Sequence, residues 1–392
     1  MIYTPTPERA NLLAKLPGDG SKAPIVLLHH MDVVPANKGT WTCDPFEGTL
    51  TDDQVWGRGA IDDKGLGIMQ MLAFCLLRDK GVTVKRDVLL LAVSDEEAGG
   101  EFGAGWMVEN HWPDIECEYL WDEGGTGTVG IMGDNPVFAV SVAEKRRMTV
   151  ELTVSGTGGH GSFTVESPLN QMVTAIHRLQ ASKMPVQFGE VTKAFLRNVS
   201  KTQRFPASWL VRNADKPLVK SLMANKLAAS PAIDAMLRDT ITVTAIQSGD
   251  GSNVTPDSAH AILDVRLLPS TDELEFLRLL RVLLGDESIV IKTTSEPTAI
   301  VEPSDMNSEF FTSLTRVIHR AVSNSIVTPI QTPGATDSRF FRAKGVQAYG
   351  LLPAILTQND LNTIHGTNEK ISIDNLALGT RIIYETLVEL CV

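Results

Sequence analysis

Hydrophobic positions along the chain predict two kinds of region. Four short segments are apolar on both faces and are separated by helical patterns, namely residues 25–28, 88–93, 119–121 and 346–351. Such segments are typical of buried strands in a mainly parallel sheet that is flanked by helices. Residues 64–78 are apolar almost all round and predict a buried helix, whereas residues 374–390 predict a closing helix capped by Asp374.

The middle of the chain has a different pattern. A strand (148–154), a helix (168–180), two strands (241–247 and 259–266), a helix (272–284) and a last strand (289–293) follow one another. This β-α-β-β-α-β order is the split ferredoxin-like pattern. Residues 181–240 interrupt it with a largely helical stretch that the pattern does not place. The simplest architecture is an α/β domain formed by residues 1–145 and 301–392, with a smaller α+β domain, residues 146–300, inserted between them.

Composition excludes several classes of protein. The 392 residues, 43% hydrophobic and 21% charged, indicate a folded chain of two or three domains. The net charge of −12 and the lack of a basic stripe argue against nucleic-acid and membrane partners, and no apolar run reaches the ~18 residues of a membrane span. Four widely spaced cysteines and an amino terminus unlike a secretory signal predict reduced thiols in a cytoplasmic protein.

Candidate ligands follow the apolar strands, where open α/β sheets bind their ligands. His30 and Asp32 come directly after the first of these strands and point to the same side of an extended chain. Asp32 can then accept a hydrogen bond from the far nitrogen of His30 and fix its tautomer, while His29 faces the other way. A surface pair is the alternative interpretation of so short a motif.

Three further motifs are acidic. GRGAIDDKG, which contains Asp62, misses the dinucleotide fingerprint because an aspartate stands at the third glycine, and two carboxylates in such a loop better suit a cation. In SDEEAGG, Glu97 can bind a metal while its neighbour Glu96 acts as general base. WDEGG repeats the arrangement with Asp122 and Glu123 after the next strand. Capping carboxylates and solvated acidic turns are the alternatives for these motifs taken singly.

Taken together, these motifs predict a metal site. His30, the carboxylates and a late histidine, His365 in NTIHGTNEK, each lie at a strand end or in a glycine-bounded loop. Five such ligands around two zinc ions, one carboxylate being shared, are the layout of a two-metal hydrolase. Cobalt or manganese would suit the same ligands.

The ordered set of motifs resembles a known family. HHMDVVP, GRGAIDDKG, DEEAGG, WDEGG, GGHGS, NVTP with DVR, GATDSR and HGTNE occur in the order seen in dizinc peptidases of the aminoacylase and carboxypeptidase S type, from about residue 8 to the end. That family also includes glutamate carboxypeptidase, succinyl-diaminopimelate desuccinylase and dipeptidases. The resemblance implies a zinc-binding α/β domain with an inserted ferredoxin-like lid, which often forms a homodimer.

The resemblance also implies roles for individual residues. His30 and Glu123 would hold one zinc ion, Glu97 and His365 the other, and Asp62 would bridge them, with Asp122 as the alternative to Glu123. Asp32 would orient His30, and Glu96 would take a proton from the attacking water and pass it to the leaving amine. The peptide bond between Asp62 and Asp63 is expected to be cis.

Lid residues complete the implied site. His160 in GGHGS matches the histidine that stabilises the tetrahedral oxyanion, often across the dimer, and Asn253 and Arg266 match the substrate-contacting pair. Arg339 in GATDSR is a second candidate for binding a substrate carboxylate. A structural Arg–Asp pair, with Asp337 or Asp264, is the alternative.

One departure from the family concerns the amino terminus. The first strand is expected near residue 25, whereas relatives carry several dozen more residues there, including a helix that covers the sheet.

The leading hypothesis is a metal-dependent hydrolase that cleaves an amide next to a free carboxylate in a dipeptide, a carboxy-terminal residue or an N-acyl amino acid. A small-molecule binding protein on the same fold is the principal alternative. A nucleotide-binding protein is a third, disfavoured by the incomplete glycine fingerprint.

Overall fold

The computed structural model describes residues 1–131, 133–162, 166–227, 229–295 and 300–392. In chain order the strands are β1 (Ile2–Thr6), β2 (Arg9–Leu16), β3 (Ile25–His30), β4 (Thr49–Thr51), β5 (Gln54–Trp56), β6 (Val88–Val93), β7 (Tyr119–Thr128), β8 (Val137–Glu144), β9 (Arg146–Ser155), β10 (Gly159–His160), β11 (Thr240–Gln247), β12 (Val254–Thr255), β13 (Ser258–Leu267), β14 (Val290–Ser295), β15 (Ile326–Thr332), β16 (Gln347–Leu356) and β17 (Lys370–Ser372).

The α-helices are α1 (Lys64–Asp79), α2 (Ala104–Asn110), α3 (Trp112–Ile115), α4 (Pro168–Ala181), α5 (Glu190–Val199), α6 (Ala207–Arg212), α7 (Pro217–Leu227), α8 (Pro231–Leu237), α9 (Glu273–Leu284), α10 (Glu309–Ala321), α11 (Ser338–Arg342), α12 (Gln358–Leu361) and α13 (Ile373–Cys391). Within the described ranges, no helix is both long enough and apolar enough to cross a membrane.

An eight-stranded sheet forms the larger part of the fold, in the order β1-β2-β6-β3-β7-β16-β8-β15. Its centre is parallel, since β3 pairs in parallel with β6 and β7, and β7 with β16. The four segments predicted as buried strands are β3, β6, β7 and β16, so the mainly parallel α/β fold is confirmed. The carboxyl ends of β6, β3 and β7 therefore meet at one edge of the sheet.

Helices cover both faces of this sheet. On one face α1, α10 and α13 enclose the largest hydrophobic core, which includes Trp121, Phe310 and Tyr349. On the other face α2 and α11 pack over a second core that includes Val26, Met107 and Phe341. Both faces of β3 and β6 are buried, which explains their uninterrupted apolar sequences.

The structure corrects three details of the predicted elements. The first strand begins at Ile2, not near residue 25, because a partly exposed hairpin of β1 and β2 extends the sheet beyond β6. Ser372, not Asp374, caps α13, since its hydroxyl accepts the N–H of Asn375. Helix α1 is not buried all round, because Met71 and Leu72 are exposed on its outer face.

A second, four-stranded antiparallel sheet has the order β11-β13-β9-β14 and carries α4 and α9 on one face; we call this unit the lid. Its β-α-β-β-α-β order agrees with the predicted pattern. Helices α5 to α8, the stretch that the pattern did not place, pack against the edge of the larger sheet. There the side-chain amide of Asn198 donates to the carbonyl of Val327 and that of Gln331 to the carbonyl of Met236. The three-segment division of the chain stays a prediction.

Candidate metal centre and active site

His30 is a deeply buried member of the candidate site, with 1% of its side chain exposed at the end of β3. Its Nε2 lies 3.0 Å from Asp62 Oδ1 and 3.9 Å from Glu123 Oε1. Its Nδ1 lies 2.9 Å from the backbone carbonyl of Asp32 but 3.6 Å from the Asp32 carboxylate. The carbonyl therefore occupies the position predicted for the carboxylate. His29 faces the opposite side, as predicted, and contacts Gln70.

The Asp32 carboxylate instead binds the loop that follows β6, the strand beside β3 in the sheet. Its two oxygens accept the backbone N–H groups of Glu96 and Glu97 at 3.2 and 3.1 Å. These glutamates form a single 3-10 turn directly after β6, between Asp95 and Gly99, which both have positive φ. Asp32 thus fixes the turn that presents both glutamates to the site.

Asp62 and Asp63 lie in the loop before α1, and the peptide bond between them is cis, as the family resemblance implied. A buried carboxylate, Glu369, organises this loop: it accepts the N–H groups of Gly59, Ile61 and Asp62 and pairs with Arg58 at 2.6 Å. Asp62 Oδ2 is thereby presented to His365 Nε2 at 3.1 Å.

Within WDEGG, the two acidic side chains have different neighbours. Asp122 is buried, and its Oδ2 accepts both the N–H and the hydroxyl of Ser338 at the start of α11. Glu123 faces His30 and is partly exposed. The geometry therefore favours Glu123 over Asp122 as a ligand.

His365 closes the site from a loop near the carboxyl end. It has a left-handed backbone, with φ of 57°, and about half of its side chain is exposed. Its Nε2 lies 3.1 Å from both Asp62 and Glu97. Hydrogen bonding to Asp62 raises the pKa of His365 to about 9.

Several carboxylates are crowded together at the site, and burial is the main cause of their raised pKa values. Burial, together with the charges of Asp62 and Asp63, raises the pKa of Glu123 well above its usual value. Burial and the nearby Asp62 also raise the pKa of Glu97. Burial raises the pKa of Glu96 to about 7, and neighbouring carboxylates add to the effect. A bound cation would relieve this repulsion.

Two overlapping groups of side chains can hold a metal ion. One ligand atom each from His30, Asp63 and Glu123 lies within 4.8 Å of the others, and the same holds for His30, Asp62 and Glu97. Imidazole nitrogen and carboxylate oxygen are the donors that zinc and similar divalent ions take. The donor set therefore fits the predicted cofactor.

The predicted lid residues are carried by β10, by the loop before β12 and by β13. His160 is exposed on β10, which pairs with β12, and Asn253 is its neighbour there, since its carbonyl accepts the N–H of Gly161. Arg266 on β13 binds Asp264 through Nε at 2.7 Å and through a second N–H at 3.2 Å. The structure thus brings His160 and Asn253 together and engages Arg266 in an ion pair.

Arg339 lies beside the Glu96–Glu97 turn. Its guanidinium donates to the carbonyls of Thr336 and Gly99, at 2.8 and 2.5 Å, and lies 4.4 Å above the ring of Phe340. Its hydrogen bonds go to carbonyls, not to the aspartates considered from the sequence. Its charge acts on Glu96, whose pKa it lowers against the larger effect of burial.

Sequence reasoning missed two residues of the site. Asp63 is buried with His30 and Glu123, although only its neighbour was assigned a role. Glu369 is fully buried beneath the Asp62 loop, and its only sequence signal is its place four residues after His365 in HGTNE.

An α/β sheet whose strand ends gather histidines and carboxylates in this way is the architecture of a metal-dependent hydrolase. The sequence profile of Peptidase family M20/M25/M40 matches residues 26–389, and the chain belongs to this family.

Individual relatives agree with this assignment. The chain is 32% identical over 368 residues to the N-fatty-acyl-amino acid synthase/hydrolase PM20D1 of Xenopus tropicalis, covering 92% of this chain and 71% of the relative. It is 27% identical to a probable carboxypeptidase S-like protein 2 of Dictyostelium discoideum, covering 91% and 70%. Among solved structures, the M20 family metallo-carboxypeptidase Sso-CP2 of Sulfolobus solfataricus shares the fold, with a TM-score of 0.69, 20% identity, and coverage of 97% of this chain and 87% of that chain.

Proposed function

We propose that this protein hydrolyses an amide bond next to a free carboxylate, in an N-acyl amino acid or a small peptide. The observation that carries the proposal is the convergence of His30 with two sets of carboxylates at the carboxyl edge of the parallel sheet. Membership of the M20/M25/M40 family supports hydrolysis as the reaction.

The proposed metal ligands are those that the sequence suggested. His30 and Glu123 would hold one zinc ion, Glu97 and His365 the other, and Asp62 would bridge the two. Contacts between neighbouring members of this set support it: His30 to Asp62, Asp62 to His365, and His365 to Glu97. The bound ions would polarise the substrate carbonyl and lower the pKa of a water. Cobalt or manganese would supply the same chemistry.

Glu96 is the proposed general base. It lies next to Glu97 in the turn that Asp32 fixes, so its carboxylate reaches the same edge of the sheet without being needed as a ligand. It would take a proton from the attacking water and return it to the leaving amine. His160, from the lid, would donate to the developing oxyanion.

The carboxylate of the substrate is the proposed anchor. Asn253 and Arg266 on the lid are the first candidates to bind it, and Arg339 is the second, because a guanidinium matches a carboxylate with two parallel N–H groups. PM20D1, by its name, acts on N-fatty-acyl amino acids, which favours an N-acyl amino acid over a dipeptide as the substrate class. Equal hydrolysis of amidated and free-acid substrates would overturn the carboxylate requirement.

Glu96→Gln tests the reaction and the base together. Holoenzyme prepared with zinc is incubated with a panel of N-acyl amino acids and dipeptides, and product is measured by mass spectrometry. We expect the variant to keep its zinc content and to lose roughly a hundredfold or more in rate. Glu287→Gln, at an exposed site on the lid, is the matched control. Near-normal turnover of Glu96→Gln would contradict its role.

The same panel distinguishes hydrolysis from the principal alternative, which is binding without reaction. Wild-type protein that binds acyl amino acids, detected by calorimetry, but releases no product from any of them would be a small-molecule binding protein on this fold.

We also propose a homodimer formed through the lid, in which His160 serves the partner's site. Mixing Glu96→Gln with His160→Ala would then restore activity that neither variant has alone. Recovery of no activity from the mixed and re-equilibrated subunits would contradict this arrangement. Cytoplasmic localisation stays a prediction.

A further inference from the structure

The helices α5 to α7 carry a charge opposite in sign to that of the whole chain. Residues 190–227, which we call the basic segment, contain eight basic residues and two acidic ones, although the chain has a net charge of −12. Six of the eight are exposed, namely Arg197, Lys201, Arg204, Arg212, Lys216 and Lys226. Among the described residues, the ion pair of this segment joins Lys193 to Glu190, and no carboxylate lies within ion-pair distance of the six exposed cations.

Large apolar side chains are exposed on the same segment. They are Phe205, Trp209, Leu218 and Leu222, with exposed fractions of 83%, 52%, 91% and 59%. The inner face of α7 is already packed, since Val219, Met223 and Leu227 are buried in a hydrophobic core beside β15. Leu218 and Leu222 therefore form a second apolar row on the outer face of α7, which is open to solvent.

Each exposed apolar row shares its helix face with a basic residue. The members are spaced by three or four residues, namely Phe205, Trp209 and Arg212 along α6 and the turn before it, and Leu218, Leu222 and Lys226 along α7. A long basic side chain beside an apolar row covers it with its stem and keeps its charge in a polar layer. Aromatic and aliphatic anchors next to lysine and arginine are the composition of helices that lie in the interface of a lipid bilayer.

We infer that the surface formed by α6 and α7 docks on an anionic lipid bilayer. The four exposed apolar side chains insert among the lipids, and the neighbouring cations lie at the level of the head groups. Tryptophan is typical of this depth in a bilayer, because its ring is apolar and its N–H is polar. The negative surface potential of anionic lipids attracts lysine and arginine side chains that have no partner within the protein.

Two other occupants fit this surface less well. A second copy of the chain that met it through a twofold axis would set the cations of one copy against those of the other. A nucleic acid would pair with the cations and stack on the aromatic rings, but it would leave the outward leucines of α7 in water. The inference does not depend on the proposed amide hydrolysis.

The expectation of no membrane partner rested on the net charge of the chain and on the lack of a basic stripe. The cations of the basic segment are separated in the sequence by apolar residues, many of which pack inward, so they form no continuous run. In the fold, the helices bury those apolar positions and expose the cations.

Vesicle flotation with zinc-loaded protein tests the inference. Vesicles of phosphatidylcholine and phosphatidylglycerol in equal amounts are compared with vesicles of phosphatidylcholine alone. We expect the wild type to bind the anionic vesicles at least about tenfold more tightly than the neutral ones. Binding to the anionic vesicles should weaken as the salt concentration rises.

Two double variants separate the apolar contribution from the charged one. Leu218→Ser with Leu222→Ser should weaken binding to anionic vesicles at least about tenfold, because apolar contact with the lipids is lost. Arg212→Gln with Lys226→Gln should weaken it about thirtyfold, because two cations are removed from the head-group layer.

Matched controls make comparable changes at exposed positions of the lid. They are Leu274→Ser with Val282→Ser for the apolar pair, and Arg278→Gln with Lys292→Gln for the charged pair. Both controls should bind anionic vesicles as the wild type does. An equal loss of binding in a control and in its matched variant would show that this surface has no special role.

The fluorescence of Trp209 provides a local readout. Anionic vesicles should shift the emission of the wild type to shorter wavelength, as the indole moves out of water. Trp209→Phe keeps an aromatic anchor, so it should still bind the vesicles but lose most of this shift. A full shift in Trp209→Phe would place the contact elsewhere on the molecule.

Other results would also overturn the inference. One is the absence of wild-type binding to anionic vesicles, and another is equal binding by the wild type and both double variants. Tighter binding to an RNA oligonucleotide than to anionic vesicles would identify a nucleic acid as the partner. A change in oligomeric state in the leucine variant, measured by sedimentation, would instead identify a contact between copies of the chain.

Discussion

Single buried charges decide much of the geometry of this site. Glu369 is the clearest case, since its carboxylate has no exposed surface and accepts N–H groups from Gly59, Ile61 and Asp62 while pairing with Arg58. It contacts no reacting group, yet it fixes the loop on which the proposed bridging ligand lies. We therefore regard it as a positioning residue.

Glu369→Gln should destabilise the protein and weaken metal binding. Arg58, with 3% of its side chain exposed, would lose its counter-charge, and breaking a buried ion pair in this way costs about 3–5 kcal/mol. Urea unfolding with and without zinc measures both effects, and Glu287→Gln should change the free energy of unfolding by less than about 0.5 kcal/mol. A variant as stable as the wild type, with normal zinc affinity, would refute this role.

Lys145 is a second buried charge, located where the chain passes from the larger sheet into the lid. It is 1% exposed, its N–H donates to Thr332 and its ammonium to Thr240. Burial lowers the pKa of Lys145 to about 8; the nearby Arg266 acts in the same direction, and Asp239 and Asp234 oppose it.

The stability of the protein should therefore depend on pH through Lys145. Because its pKa is lower in the folded than in the unfolded chain, the penalty for burying the charge is complete below pH 8. It disappears between pH 8 and the unfolded value near 10.5. Relative to Lys145→Met, the wild type should gain about 2–3 kcal/mol of unfolding free energy over that interval. Parallel pH curves for the two proteins, measured by urea unfolding, would contradict this assignment.

Among the secondary-structure elements, α1 supports the site because it packs against β3, the strand that ends at His30. Gly67 of α1 lies against the ring of His29, and a Cβ at this glycine would be 2.6 Å from its Cδ2. The ring cannot easily move, because its Nδ1 lies 3.0 Å from Gln70, whose amide also donates to Leu28 and Trp121. Helix and strand thus approach at a distance that only glycine permits.

Gly67→Ala should cost about 1–3 kcal/mol, since overpacking forces a shift in a well-ordered core. Gly189→Ala is the control, because a Cβ there meets open space and the change at a helix cap costs about 1 kcal/mol or less. Thermal unfolding of both variants, followed by circular dichroism, tests the contact. If Gly67→Ala were more stable than the control, the ring of His29 would be able to shift without lowering the stability of the protein, which would contradict this prediction.

At the scale of the whole molecule, the metal centre gathers residues from both halves of the chain. His30, Asp62, Glu97 and Glu123 come from the first half, whereas His365 and the supporting Glu369 come from near the carboxyl end. The negative charges that these segments bring together repel one another until a cation binds. Metal binding should therefore stabilise the complete fold, not one loop.

Removal of metal tests this expectation. A chelator should lower the melting temperature, and zinc should restore it, because an ion at a hundred times its Kd stabilises the folded state by about 2.7 kcal/mol. Glu97→Ala, which lacks one proposed ligand, should respond to zinc more weakly than the wild type. A melting temperature that neither chelator nor zinc alters would argue against a resident metal.

The periodicity of apolar residues was enough to predict the central strands, the helices of the lid and the edge of the sheet at which the ligands gather. Strands such as β3 and β6 are buried on both faces, so their sequence records their environment directly. The ordered motifs then indicated the family, which the profile match confirms.

Other features depend on contacts between residues distant in the chain, and no local pattern records those. The hairpin of β1 and β2 lacks the regular alternation of a strand, because in β2 the polar Asn11 is buried while the apolar Leu12 is exposed. Asp32 binds the Glu96–Glu97 turn, and Glu369 binds a loop some 310 residues earlier, only once the chain has folded. A carboxylate in the sequence shows that a charge is present. The packing of the whole sheet decides which backbone N–H groups the carboxylate binds. A buried carboxylate needs such partners because it has lost contact with water.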